Sequence, residues 1–393
     1  MHLLLLDVDG VLVAPRAYMK ALQDTVSHIA RQMGLGEYPP TEEDRQAFEA
    51  NGLSSEWDMG AAVVGVLLLE RLRQDPSLHL PGEWGSAVQF LAAHPCPLAR
   101  PHYVALAEKI GTHVSQGLPP AQATREALWG EALVIPDLSR SLSALSGLLD
   151  TLFSDTRSFY RSPVTRVFQH MAIGSAAVAR TYGVAPDVES PAYLKLFDQP
   201  LLAPDVRQKL EQSGEAVRLA LYTLRPSLPP VEAGDQGLGY APEAEMARGI
   251  VGLEKWPLIG LGHMQWLAQR NGTSLGSLVK PAPVQALAAI AAAWSGQEMA
   301  ALQAALSLHR EGRLEPPLTT LQQAVVHVFE DTCEGIASVQ RAVELLQTVG
   351  IETSWQAYGI APASSSKAAA LVGCGARIYP SVNEAITTML QQV

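Results

Sequence analysis

Leu3-Leu4-Leu5-Leu6-Asp7-Val8-Asp9-Gly10-Val11-Leu12 decides how the rest of the chain is read. Four consecutive leucines match a strand buried on both faces, the pattern of a central strand in a parallel sheet covered by helices. The run ends in two acids, and in an open α/β sheet ligands bind beyond the carboxyl ends of the strands. Gly10 permits the sharp bend that can turn Asp7 and Asp9 toward one crevice. Two carboxylates so close repel, so the pair needs a cation or a shared proton. Mg²⁺, which combines few carboxylates with substrate phosphate oxygens, suits that need. Taken alone, the motif can equally be an Asp-rich turn that caps the next helix.

The chain has 393 residues, 48% of them hydrophobic and 17% charged, with a net charge of −11. That length suits two domains with ample core. The acidic balance disfavours tracking a phosphate backbone, so nucleic acid is not an expected partner. Cys96, Cys333 and Cys374 are too few and too scattered for a disulfide framework or a zinc site, which makes a reducing cytoplasm the default. The N-terminal apolar run is short, lacks a basic flank and is interrupted by Asp7 and Asp9, unlike a secretion signal. The apolar runs at 61–69 and 287–293 are shorter than a membrane span, so a soluble protein is expected.

After Val13 the pattern turns helical. Tyr18, Leu22, Val26, Ile29 and Met33 fall on one helical face, and Thr41-Glu42-Glu43-Asp44 carries the start signal of a second helix. The polar loop 51–58, with Trp57 and Asp58, leads into an apolar helix over 61–72; Trp57 as core and Asp58 as a cap is the plain reading. Recurrent prolines over 75–150 require short, separated helices, and His94, His102 and His113 lack metal-ligand spacing. Helical pattern resumes over 138–153 and 164–182. Arg157, Arg161 and Arg166 can hold the far end of an anionic substrate or simply form a solvated face.

Past Pro204 the α/β character returns. A helix over 205–212 precedes the apolar run 216–222, which ends at Thr223-Leu224-Arg225-Pro226. A hydroxyl at a strand tip can donate to a phosphoryl oxygen without adding charge. Arg225 is either a substrate contact or a solvent-facing turn residue. The Gly- and Pro-rich stretch 228–241 reads as a loop, 243–248 as a helix, and 258–260 as a sheet edge. Val279-Lys280-Pro281-Ala282-Pro283 places a lysine at a fixed corner before a helix. Alanine-rich helices over 287–294 and 298–309 follow. The run 324–331 then ends in Glu330-Asp331, with Gly335 at the start of the next helix and Glu334 as an acid in its first turn. Helix 339–346, a short strand beginning at 350–353, a strand over 376–379 and a last helix opened by 380–384 complete the chain.

Asp7-Val8-Asp9-Gly10-Val11-Leu12, Thr223, Lys280-Pro281 and Glu330-Asp331, in that order, resemble motifs I to IV of the haloacid dehalogenase-like (HAD) superfamily. The resemblance implies an α/β fold, with a Rossmann-like parallel sheet core over 1–13 plus 205–393 and a large inserted α-helical cap domain over 14–204. The Trp57-Asp58 pair resembles the histidinol-phosphatase-like branch, and in such enzymes a loop between early cap helices helps choose the substrate. The longer spacing between motifs II, III and IV suggests surface insertions around 228–245 and 295–320.

By the same resemblance Asp7 is the nucleophile and Asp9 the general acid and base. Thr223 and Lys280 assist catalysis and, with Arg225, hold substrate. Asp7, Asp9 through its carbonyl, Asp331 and Glu330 bind Mg²⁺. The implied activity is a Mg²⁺-dependent phosphatase acting on a small phosphorylated metabolite, with no nucleic-acid or membrane partner. Asp9 argues against the haloacid dehalogenases themselves. A phosphomutase of the β-phosphoglucomutase type and a non-catalytic binding module on the same scaffold are the alternatives. Neither the substrate nor the oligomeric state follows from the sequence.

Overall fold

The computed structural model describes residues 1–234 and 239–392. It contains two compact units: residues 1–16, 180–183 and 194–393 form one, and 17–179 with 184–193 form the other.

The first unit is built on a six-stranded, wholly parallel sheet. Its strands are β1 (His2–Leu6), β4 (Val217–Tyr222), β5 (Leu258–Ile259), β6 (Gln323–Glu330), β7 (Glu352–Ile360) and β8 (Arg377–Tyr379), in the order β5-β4-β1-β6-β7-β8. The four leucines of β1 are fully buried. Successive side chains of a strand point to opposite faces. Leu3 and Leu5 therefore join one core with Tyr222 and the helices Pro283–Ser295 and Cys333–Thr348. Leu4 and Leu6 join the other with Leu219, Leu221 and Phe329 under the helices Pro204–Gln212, Glu243–Val251 and Val382–Leu390. Burying each leucine contributes about 2 kcal/mol, so the same run that fills both cores fixes β1 at the centre. Register pairs Leu6 with Leu221 on one side and Phe329 on the other, which aligns the three strand tips.

Two short strands, β2 (Val13–Ala14) and β3 (Gln199–Pro200), pair antiparallel as a separate ribbon. The alanine-rich helix Pro283–Ser295 is buried almost all round, because small side chains let it lie against the sheet and against the helix Glu298–Glu311. This corrects the expected surface insertion at 295–320: Ala301, Leu302, Ala304 and Ala305 are buried core residues. Of the expected 228–241 loop, residues 235–238 lie outside the described residues, as does Val393. The short strand expected from 350–353 is the nine-residue β7. Its polar Gln356 masks the strand pattern and is explained by the Tyr358 hydroxyl, which donates to it at 2.9 Å.

The second unit is helical. The helix Glu56–Gln74 is buried along most of its length and is contacted by the helices Pro120–Leu133, Leu142–Phe153 and Pro163–Ile173. Thr41 and Asp44 form the reciprocal capping box of the helix Glu42–Ala50. The single helix expected over 164–182 is two, Pro163–Ile173 and Ser175–Tyr182, broken at Gly174. There φ is +84°, and a Cβ would meet the Ala192 amide nitrogen at 2.8 Å. Trp57 packs edge-on to Phe168 with ring centroids 6.2 Å apart, and Asp58 accepts from the buried Thr156 hydroxyl. Arg157 lies over the Trp57 ring, and Arg166 pairs with Asp187. No helix among the described residues is long and apolar enough to cross a membrane.

One buried acid of the first unit gives a pH prediction. Glu245 accepts the Leu228 N–H through Oε1, while Oε2 is buried without a hydrogen-bond partner among the described residues. Burial pushes its carboxyl up to about 7. A folded-state pKa above the unfolded value means that stability is full below the unfolded pKa, about 4.3, and is lost as pH rises through 7. Glu245→Gln should therefore raise the melting temperature at pH 8, by roughly 2–3 kcal/mol of stability, and have little effect at pH 4. Thermal melts at the two pH values check this.

Candidate active site

The carboxyl tips of β1, β4 and β6, with the corner before the helix Pro283–Ser295, bring Asp7, Thr223, Lys280, Glu330 and Asp331 together. Asp7 follows β1 directly, and its N–H donates to the Phe329 carbonyl at 3.1 Å, which locks the tip of β1 to β6. Lys280 is 7% exposed and sits between two acids, with Nζ 2.7 Å from Asp7 Oδ1 and 2.6 Å from Glu330 Oε1. Its Nζ also lies 3.7 Å from the centroid of the Tyr222 ring, and donates to the Tyr222 carbonyl at 3.3 Å. Burial works to lower the Lys280 pKa, but Asp7 and Glu330 outweigh it and hold the ammonium charged.

Each partner is itself held. Glu330 Oε2 accepts from the Thr332 hydroxyl at 2.9 Å and from the Asp331 and Thr332 amides at 3.2 Å. Gly335 makes room for that carboxyl: a Cβ there would lie 1.8 Å from Glu330 Oε1. Gly335→Ala must displace Glu330 from Lys280, and we expect a loss of about 3 kcal/mol in urea unfolding. Gly10, with φ of +72°, lets the β1 loop pass against Asp331, whose Oδ2 would be 2.3 Å from an added Cβ. The Thr223 oxygen accepts the Arg225 N–H at 3.2 Å, which leaves its O–H available to donate.

Burial, reinforced by Glu330, Asp331 and Asp9 and opposed by Lys280, raises the Asp7 carboxyl well above the ordinary range. Asp331 is raised by burial as well, against Lys367, which pairs with its Oδ2. Oxygens of Asp7, Glu330 and Asp331 lie within 4.8 Å of one another, the acidic cluster among the described residues that can hold a metal. Asp7, Asp9, Asp198, Glu330 and Asp331 face Lys280, Arg225 and Lys367 in these ion pairs, which leaves two negative charges in excess. Carboxylate oxygens with that excess are the donor set of a hard divalent cation. Glu330 is the weakest ligand of the three, since Lys280 and the Thr332 hydroxyl already engage both its oxygens.

Two expectations are corrected. Arg225 is not the solvent-facing turn residue that one of its two readings expected: it is 3% exposed, and its guanidinium bonds Asp9 and Asp198. Cys333 and Cys374, expected to be unpaired, form a disulfide with Cα atoms 5.8 Å apart. A sequence separation of 41 hid this contact, because the start of the helix Cys333–Thr348 and the residue that caps the helix Ser366–Gly373 are brought together by the pairing of β6 with β7. The bond removes the basis on which a reducing compartment was expected.

Sequence reasoning missed Gln285, Lys367, Asp198 and Tyr222. Gln285 is fully buried, and its Nε2 donates to the carbonyls of Thr223 and Ile259 at 2.9 and 3.2 Å. A glutamine inside an otherwise apolar helix was the legible signal for it.

No family model matches the chain, and no curated protein matches it. Three solved structures are similar to it. The first, a structural-genomics target whose name states no activity, is 14% identical with a TM-score of 0.63, over 100% of this chain and 99% of that one. A protein named as a β-phosphoglucomutase from Thermotoga maritima is 17% identical with a TM-score of 0.36 over the whole of both chains. Phosphatase Tt82 from Thermococcus thioreducens is 14% identical with a TM-score of 0.40, over 90% of this chain and 91% of that one. The likeness to the first of these is one of fold: an α/β fold with β1 between β4 and β6 of a parallel sheet, the residues of the four motifs meeting at one edge of that sheet, and an inserted helical unit.

Proposed function

We propose that this chain is a Mg²⁺-dependent phosphomonoester hydrolase acting on a small phosphorylated metabolite through an aspartyl-phosphate. The observation that carries the reading is the buried Asp7 carboxylate at the tip of β1, fixed through Oδ1 by Lys280. Asp7 attacks phosphorus, and the bond to the ester oxygen breaks, splitting one hard displacement into two easier ones. Asp9 gives its proton to the departing oxygen and then takes one from the water that attacks the phosphoryl-enzyme. Inorganic phosphate leaves and Asp7 is restored. The Thr223 hydroxyl donates to a phosphoryl oxygen, and the Lys280 ammonium offsets charge that builds up in each displacement. Asp7, Asp331 and the Asp9 carbonyl would hold Mg²⁺, which would supply charge neutralisation at the phosphoryl oxygens.

The test is phosphate release from a panel of phosphomonoesters with and without Mg²⁺. Metal-dependent release supports the reading, and the ranking of esters identifies the substrate class. Transfer of label to a second sugar hydroxyl without phosphate release would establish a mutase. Neither release nor transfer, in protein whose melting temperature still rises with Mg²⁺, would leave a binding module.

A further inference from the structure

Arg225 is held between two acids beside the site. Its Nε lies 2.9 Å from both Asp9 oxygens, and its Nη2 bonds Asp9 and also Asp198 Oδ2, the latter at 2.9 Å. The side chains of Arg225 and Asp198 are 1% and 0% exposed, whereas Asp9 is 35% exposed. One guanidinium thus has a buried anchor on one side and an accessible carboxylate on the other.

The loop that presents Arg225 is tied at nearly every residue. Thr223 N–H donates to the Ile259 carbonyl, the Arg225 carbonyl accepts from Leu261 N–H at 3.0 Å, and that of Pro226 accepts from Ala244 N–H at 2.8 Å. The Ser227 hydroxyl oxygen accepts from Gly262 N–H at 2.9 Å and meets His263 Nδ1 at 3.1 Å, while His263 Nε2 reaches Glu298 at 3.2 Å. Gly262 is required there, since a Cβ would lie 1.8 Å from the Ser227 carbonyl oxygen. Asp198 is placed independently: it precedes β3, which pairs with β2, and Val13 of β2 bridges back to Asp9. The acid therefore hangs from the ribbon and is gripped by a guanidinium fixed to β4.

We propose that Arg225, braced by Asp198, is a positioning residue that aims the Asp9 carboxyl at the leaving-group oxygen and makes no contact with substrate. A planar fork engaging both carboxylate oxygens fixes direction as well as distance, which a lysine ammonium cannot do. The inference rests on the phosphomonoesterase reading and on Asp9 as its acid.

Leaving-group dependence separates this role from the others, because an alkyl ester needs a proton on the departing oxygen and para-nitrophenyl phosphate hardly does. kcat/KM covers only the steps through phosphoryl-enzyme formation, so the later action of Asp9 on water does not mask the result. With Mg²⁺ present, Arg225→Gln should lower kcat/KM about 100-fold on an alkyl phosphate and less than about fivefold on the aryl ester, with Arg225→Lys in between. In an Asp9→Asn background the same change should cost nothing further on either ester. If Arg225→Gln does not fold, Asp198→Asn, which retains the guanidinium, should show the same pattern at about tenfold. Equal losses on the two esters, a rise in KM at unchanged kcat, or a full additional loss on top of Asp9→Asn would overturn the positioning role while the hydrolase reading stands. A wild-type protein inert toward both esters would overturn both.

Discussion

Asp7→Asn should abolish phosphate release, by at least about 10⁴-fold, in a protein that folds as well as the parent. The amide has the shape of the carboxylate but no charge to attack phosphorus, and its Oδ1 can still accept from Lys280. The variant also removes one carboxylate from a cluster with two negative charges in excess, where burial and neighbouring acids already disfavour the charged form of Asp7. Its melting temperature without metal should therefore be unchanged or higher, and the gain that Mg²⁺ gives the parent should shrink. Phosphate assays and thermal melts on the same preparations check both halves. A loss of activity accompanied by a fall in melting temperature would point to a structural role for Asp7.

Lys280→Met should be the most destabilising change at the site. It leaves Asp7 and Glu330 buried side by side without the cation that now lies 2.7 and 2.6 Å from them. Breaking a buried pair by removing one partner costs about 3–5 kcal/mol, because the remaining charge is uncompensated. At this chain length that corresponds to a melting temperature lower by roughly 4–6 °C. Phosphate release should fall by about 10³-fold through loss of the ammonium near the developing charge. Glu330→Gln in the same chain should recover much of the stability and none of the activity. This separates the two consequences, since Glu330→Gln removes an uncompensated buried charge and does not restore the ammonium.

These expectations depend on residues that differ greatly in how legible they were. The run Leu3–Leu6 specified a central, doubly buried strand because its apolar period leaves no polar face, and Asp7 followed as its tip. Thr223 and Glu330-Asp331 could be placed the same way, each at the end of an apolar run long enough to be a strand. Lys280 was legible from the proline that follows it and from its order among the other motifs. Arg225 was legible as a residue of interest and misplaced, because an arginine in a turn is ordinarily solvated. What buries it is Asp198, 27 residues earlier, at a position marked by no motif.

By itself, then, the sequence determined the central strand, the strand tips and the order of the acids, lysine and hydroxyl along one edge. All of these depend on local period and on residue type at the end of a run. Only the tertiary structure decided which charges neutralise which: Lys280 between Asp7 and Glu330, Arg225 between Asp9 and Asp198, Lys367 on Asp331, and Cys333 bonded to Cys374. The physical reason is that ion pairs and disulfides form between groups a few ångströms apart in space, and strand pairing, not chain distance, brings them there.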